Sequence, residues 1–219
     1  MFFIAPYTYF IGASLLISLV VQQRSFKGEE YLRLFTPYLF LVLIVELYVS
    51  YLASKSHPNT HILNILSVIE VCFYIFILKR IIANNKIKQI ANVILIIYPI
   101  LCLINIFFIQ KLYTVHTVTY SLGCLLIVIG AITYFLELFF LPKSGKLLVN
   151  PSFWICFGLL LFFCCSLPLI GLINYWMHTG GFVIKNFFKI SNILHIVLYS
   201  SIIIAFLCRI ARKYTLLQS

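Results

Sequence analysis

Residues 62–83 read ILNILSVIEVCFYIFILKRIIA, an apolar run interrupted by one acid, Glu70, and closed by Lys79 and Arg80. A helix rises 1.5 Å per residue, so about 20 such residues cross the roughly 30 Å hydrocarbon core of a bilayer. The stretch therefore reads as a transmembrane helix, and the rest of the chain repeats it. Spans are expected at about 2–21, 34–53, 62–83, 90–109, 118–141, 153–173 and 190–207. The fold class is an all-α membrane protein, a single seven-transmembrane-helix bundle. Linkers such as Ser54-Lys55-Ser56-His57-Pro58-Asn59 are too short for a second domain and make successive helices antiparallel neighbours.

Composition excludes the soluble alternatives. Of 219 residues 63% are hydrophobic and 10% charged, and the mean hydropathy is +1.09, beyond the range of water-soluble domains of this size. The five acids are all glutamate, and there is no aspartate. The first apolar run has no basic residue before it and no small-x-small pattern before Gln22, so it reads as a retained helix rather than a secretory signal.

Twelve of the sixteen Lys and Arg, including Arg24, Lys27, Arg33, Lys79, Arg80, Lys143, Lys146 and Arg209, fall on one side of the expected bundle, whereas Lys55, Lys111, Lys185 and Lys189 fall on the other. The positive-inside rule then puts the N-terminus outside and the C-terminus in the cytoplasm. Positives at membrane ends meet lipid headgroups, which accounts for the +11 net charge without a nucleic-acid partner. The absence of an N-x-Ser/Thr sequon and the heavy Ile and Lys usage favour a bacterial inner membrane. All seven cysteines fall inside expected helices without metal or redox spacing and read as small packing residues.

Ionisable groups inside spans cost roughly 2.5–3.5 kcal/mol on the insertion scale, so each asks for a reason. Glu46 lies about 10 Å and Glu70 about 12 Å from the outer end of the second and third helices. Ser67, Glu70 and Tyr74 share one helix face, and Asn192, His195 and Tyr199 share another. With no Lys or Arg within the hydrocarbon part of the spans, the two acids are either neutral, hydrogen-bonded to Ser, Tyr or each other, or partnered by a histidine such as His195. Two roles stay open, an interhelical hydrogen-bond donor or a ligand or proton pocket open to the outside. Glu137 reads as an interfacial charge within reach of Lys143 or Lys146. On helix 5, Tyr120, Gly123, Ile127, Gly130, Tyr134 and Glu137 form a face whose glycines suit close packing against a neighbour.

The histidines His57, His61, His116, His178 and His195 all fall on the outer half, read as solvated interfacial groups or, in the alternative, as a metal or pH-sensing cluster. The outer connection 174–189, with Trp176, Gly180 and Gly181, reads as a segment lying on the bilayer or as a lid. Missing aspartate and missing motifs exclude retinal binding, seven-helix zinc hydrolases, intramembrane aspartyl proteases, rhomboid-like chemistry and phosphate loops. No cofactor or metal is expected.

Three stretches carry a resemblance: residues 61–70, HILNILSVIE; residues 153–160, FWICFGLL; and residues 190–199, ISNILHIVLY. With the seven spans they resemble small seven-transmembrane-helix proteins of Bacteroidetes, similar in layout to the membrane sensor modules of histidine kinases. The resemblance points to Asn64, Glu70, Trp154 and Gly158 as recurring features and implies no activity. The group has a tyrosine soon after the glycine, where this chain has Leu161 and Phe162. The expected function is a non-enzymatic sensory or receptor-like module with an outer pocket of Glu46, Ser67, Glu70, Tyr74, Asn192, His195 and Tyr199. Its partners would be the lipid bilayer, a small ligand from outside and a separate cytoplasmic signalling protein. A proton-coupled transporter is the alternative, and a lipid-modifying enzyme using His195 and Glu70 as acid and base is a third.

Overall fold

The computed structural model describes residues 5–23, 29–111, 113–140, 147–173 and 182–217. They form seven α-helices and no strand: α1 Pro6–Gln23, α2 Phe35–Ser54, α3 Thr60–Ile81, α4 Asn85–Ile104, α5 Thr117–Phe140, α6 Pro151–Gly171 and α7 Phe182–Leu217. Short 3-10 turns, Glu30–Leu34 and Leu147–Val149, precede α2 and α6, and a π turn, Asn105–Ile109, continues α4. Six helices, α2 to α7, are long and apolar enough to cross a membrane, and α1 is a shorter apolar helix.

Local chemistry explains the breaks. α6 opens with Pro151, whose missing N–H costs nothing in a first turn, and Asn150 caps it by accepting from Ser152 N at 3.0 Å. α2 closes with Ser56 in the left-handed region at φ 58°, His57 N donating to Leu52 O and Ser56 N to Ala53 O. That pair satisfies carbonyls of the last turn, and Pro58 forbids continuation. From Phe182 to Leu217 no Gly or Pro occurs. α7 accordingly runs 36 residues, about 54 Å, longer at both ends than the expected 190–207. Phe182–Lys189, expected as part of the outer connection, is the first part of this helix; the rest of that connection, with Tyr175, Trp176, His178, Gly180 and Gly181, lies outside the described residues.

The helices close a ring in the order α1, α2, α3, α5, α6, α7 and back to α1, with α4 against the outside of α3. Successive helices are neighbours, as their short linkers require, and α5 packs beside α3 as well. The α5 glycines are the reason. A Cβ at Gly123 would stand 2.7 Å from Val71 Cγ2, and one at Gly130 2.9 Å from Leu78 Cδ1. α4 is left largely to lipid, with Ile96 66% and Phe107 77% exposed.

The basic residues that are described separate by end, Arg33, Lys79, Arg80, Lys86, Lys88, Arg209, Arg212 and Lys213 at the α3–α4 end and Lys55, Lys111, Lys185 and Lys189 at the α2–α3 end. Arg24, Lys27, Lys143 and Lys146 lie outside the described residues. Glu137, half-exposed near the end of α5, accepts from Ala83 N at 2.7 Å and Asn84 N at 2.9 Å; Lys143 and Lys146, expected within its reach, are not described. It ties α5 to the α3–α4 connection, whose amides helix geometry leaves unpaired. Charge-assisted bonds of this kind, discounted for exposure, make Glu137→Ala destabilising by about 1–2 kcal/mol. Hydrogen exchange should show faster Ala83 and Asn84 amides, and Glu137→Gln should recover about half the loss, since one carbonyl oxygen still accepts.

Candidate functional site

Eight residues before the end of α2, Glu46 faces the ring interior and is 8% exposed. Its Oε2 accepts a hydrogen bond of 2.6 Å from the Tyr7 hydroxyl, in the first turn of α1. The same Tyr7 ring stacks on His195 of α7 at 4.6 Å with a 26° interplanar angle. His195 in turn packs edge-on against Phe162 at 4.8 Å and stacks with Tyr199 at 6.4 Å. One phenol thus joins an acid on α2 to a histidine on α7. Among the described residues neither carboxylate bonds His195 directly; of the partners open to Glu46, the tyrosine hydroxyl of Tyr7 is the one found. His195 Nδ1 lies 2.8 Å from Ser191 O. A carbonyl only accepts, so Nδ1 carries a proton.

Glu70 lies midway along α3 and is half-buried. Glu46, Tyr7, Tyr38, Tyr74, Tyr120, Tyr199 and the Cys124 thiol all stand within electrostatic reach of it. Tyr74 is fully buried and packs edge-on against Tyr38 and Phe163, both at 5.6 Å. Among the described residues neither the Tyr38 nor the Tyr74 hydroxyl, both buried, has a hydrogen-bond partner. Two buried, unpaired hydroxyls beside a carboxylate leave hydrogen-bonding capacity that a proton, a water or a polar ligand can satisfy.

The remaining members of the expected pocket divide. Ser67 spends its hydroxyl on Asn64 O, 2.7 Å away in its own helix. Asn192 donates to Phe188 O at 2.7 Å, while its Oδ1 is buried without a partner among the described residues. The cluster therefore draws on α1, α2, α3, α5 and α7, with Phe162 and Phe163 of α6 closing it. Tyr7 and Tyr38 were not among the expected pocket residues. Tyr38 precedes Glu46 by two turns and shares its stripe, a signal that the 3.6-residue period carried.

The other flagged residues hold the frame. Asn64 Nδ2 donates to Thr114 O at 2.8 Å and its Oδ1 accepts from His116 N. Trp154 Nε1 donates to Leu148 O at 2.9 Å, and Gly158 abuts Ser201 of α7. His116, expected to be solvated, is 3% exposed with Nε2 3.4 Å from Lys111 O. His57 is exposed and His61 is half-buried, edge-on to Tyr113 at 5.5 Å. Among the described residues no three His, Cys, Asp or Glu side chains converge as a metal would need. No family model, curated protein or solved structure matches the chain.

Proposed function

We propose that this chain is a sensory or receptor-like membrane module, spanning the bilayer seven times with its N-terminus outside and its C-terminus in the cytoplasm of a bacterium. Its input is the acidic and aromatic cluster around Glu46 and Glu70, and its output passes through α7 to a separate cytoplasmic protein. The observation that carries the reading is Tyr7, which is hydrogen-bonded to Glu46 and stacked on His195 at once. A change of charge at the acids alters what Tyr7 donates to, and the stacked ring communicates that change to α7. A coupling needs two sites and an element that both of them bias, and α7, unbroken from His195 to Leu217, is such an element.

The cluster has hydroxyls and carboxylates but no Lys or Arg, so the species that complements it is positive or a hydrogen-bond donor. This favours a proton or a small cation over an anion. The same charge imbalance supports a second reading, a proton-coupled carrier in which Glu70 cycles its proton.

The test is hydrogen exchange over residues 205–217 in proteoliposomes as the outside pH is stepped from acid to alkaline. The sensory reading expects a pH-dependent change in wild type, lost in Glu70→Gln and in Tyr7→Phe. Exchange that is the same at every pH and in every variant would sink it and leave the acids as packing groups. Proton flux that vanishes in Glu70→Gln would transfer the assignment to the carrier.

A further inference from the structure

Of the neighbouring pairs in the ring, α2 and α3 touch least. Between them lies an outward-facing groove of about 290 Å³, lined by Pro37, Tyr38 and Leu41 of α2 and by Ile69, Phe73 and Phe76 of α3. The Tyr38 and Phe73 rings stack across it, 3.8 Å apart and nearly parallel at 7°. Its lining is apolar, and both helices are of membrane-spanning length and composition, so hydrocarbon is the medium that fills it. The volume sits at the lower end of small-molecule sites and suits one chain rather than a whole lipid.

The end of the groove is cationic. One turn beyond Phe76, Lys79 Nζ stands 5.6 Å and Arg80 Cζ 5.1 Å from the Phe76 ring centroid. Both cations are therefore folded back over a side chain of the groove wall. Arg33 immediately precedes Leu34, another lining residue, and is exposed. Glu30, one turn earlier, leaves the mouth net positive. A second groove, about 400 Å³ between α1 and α2 and lined by Tyr9, Gly12, Leu16, Leu43 and Leu47 among others, has no Lys or Arg within a turn of its lining. Size therefore does not single out the α2–α3 groove; the placed cations do.

We infer that the α2–α3 groove is a binding site for an anionic phospholipid, with one acyl chain between Tyr38, Phe73 and Phe76 and the phosphate held by Lys79, Arg80 and Arg33. Arginine and lysine side by side match a phosphate by fork and by point charge. A zwitterionic lipid offers the same phosphate but brings its own ammonium to a cationic mouth. A second copy of the chain would bring its own Lys79 and Arg80 to the same end and repel them. The site is separate from the Glu46–Glu70 cluster, although Tyr38 borders both.

Native mass spectrometry of the purified protein, incubated with equal amounts of phosphatidylglycerol and phosphatidylcholine of matched chains, tests this. The wild type should retain one phosphatidylglycerol in preference, and Lys79→Gln/Arg80→Gln should reduce that retention about tenfold. Lys86→Gln/Lys88→Gln, which removes as much charge at the same end, should leave it unchanged. Ile69→Trp, which fills the groove and spares the cations, should also displace the lipid. Equal retention of the two lipids, an equal loss in the Lys86/Lys88 pair, or retention that survives Ile69→Trp would each overturn the site and leave a general basic belt.

Discussion

Replacing Gly158 by alanine should destabilise the bundle by about 1–3 kcal/mol, the usual cost of overpacking a tight contact. A methyl at that position would stand 2.6 Å from Ser201 Cβ and 2.9 Å from its Oγ. Ser201 cannot swing aside cheaply: it is 3% exposed and its hydroxyl donates to Val197 O at 2.9 Å. The contact is backbone-close, so α6 and α7 must part for the substitution to fit. Helix propensity works the other way by up to about 1 kcal/mol, which makes a net loss diagnostic of the clash. Thermal unfolding in detergent supplies the measurement, and Ser201→Gly placed in the Gly158→Ala background should restore most of the loss by removing the opposing Cβ. Gly12→Ala is the internal comparison, because nothing lies within 4 Å of the Cβ it would add. It should gain about 0.5–1 kcal/mol. A Gly158→Ala protein at least as stable as wild type would mean that the α6–α7 seam is not held by this approach.

The second large effect is expected at Asn64, 6% exposed on α3. Its amide bridges two backbone groups of the α4–α5 connection, the carbonyl of Thr114 and the N–H of His116. Asn64→Leu removes both bonds at once. Thr114 is exposed, so its carbonyl can turn to water, whereas the buried His116 amide has no such recourse. The cost is set by that one N–H plus the loosened connection, about 2–3 kcal/mol. Asn64→Asp should fall between, since it keeps the acceptor for His116 but turns a carboxylate toward the Thr114 carbonyl. Exchange of the His116 amide distinguishes local from general loss: it should accelerate in Asn64→Leu ahead of amides in the middle of α3.

How much of this was legible in the chain varies with the physics of each feature. The long apolar helices were readable because burial in lipid demands a composition that water-soluble segments do not have. The breadth of α7 was not, because Lys185 and Lys189 end a hydropathy run without ending a helix; only Gly, Pro or competing caps do that. The stripes containing Glu46, Glu70 and His195 were visible from their period. Their union through Tyr7 was not, because a tyrosine near a span end serves equally well as an interfacial anchor, and its partner is 39 residues away. The glycines of α5 announced a close approach without naming the helix that makes it, which is α3. The backbone-amide partners of Glu137 were not legible, because main-chain groups leave no signature in a sequence. Sensory against carrier function is a matter of what moves, and composition does not record it.

The unbroken length of α7 has a mechanical corollary. From His195 to Leu217 is about 33 Å of helix, a lever arm with its fulcrum beside the stacked Tyr7 ring. Tilting that arm by about 5° displaces its far tip by roughly 3 Å, the width of a hydrogen bond, while the rings at the fulcrum shift by a fraction of that. Amplification of this kind needs stiffness more than it needs contacts, so a single glycine or proline placed midway would uncouple tip from fulcrum without touching either.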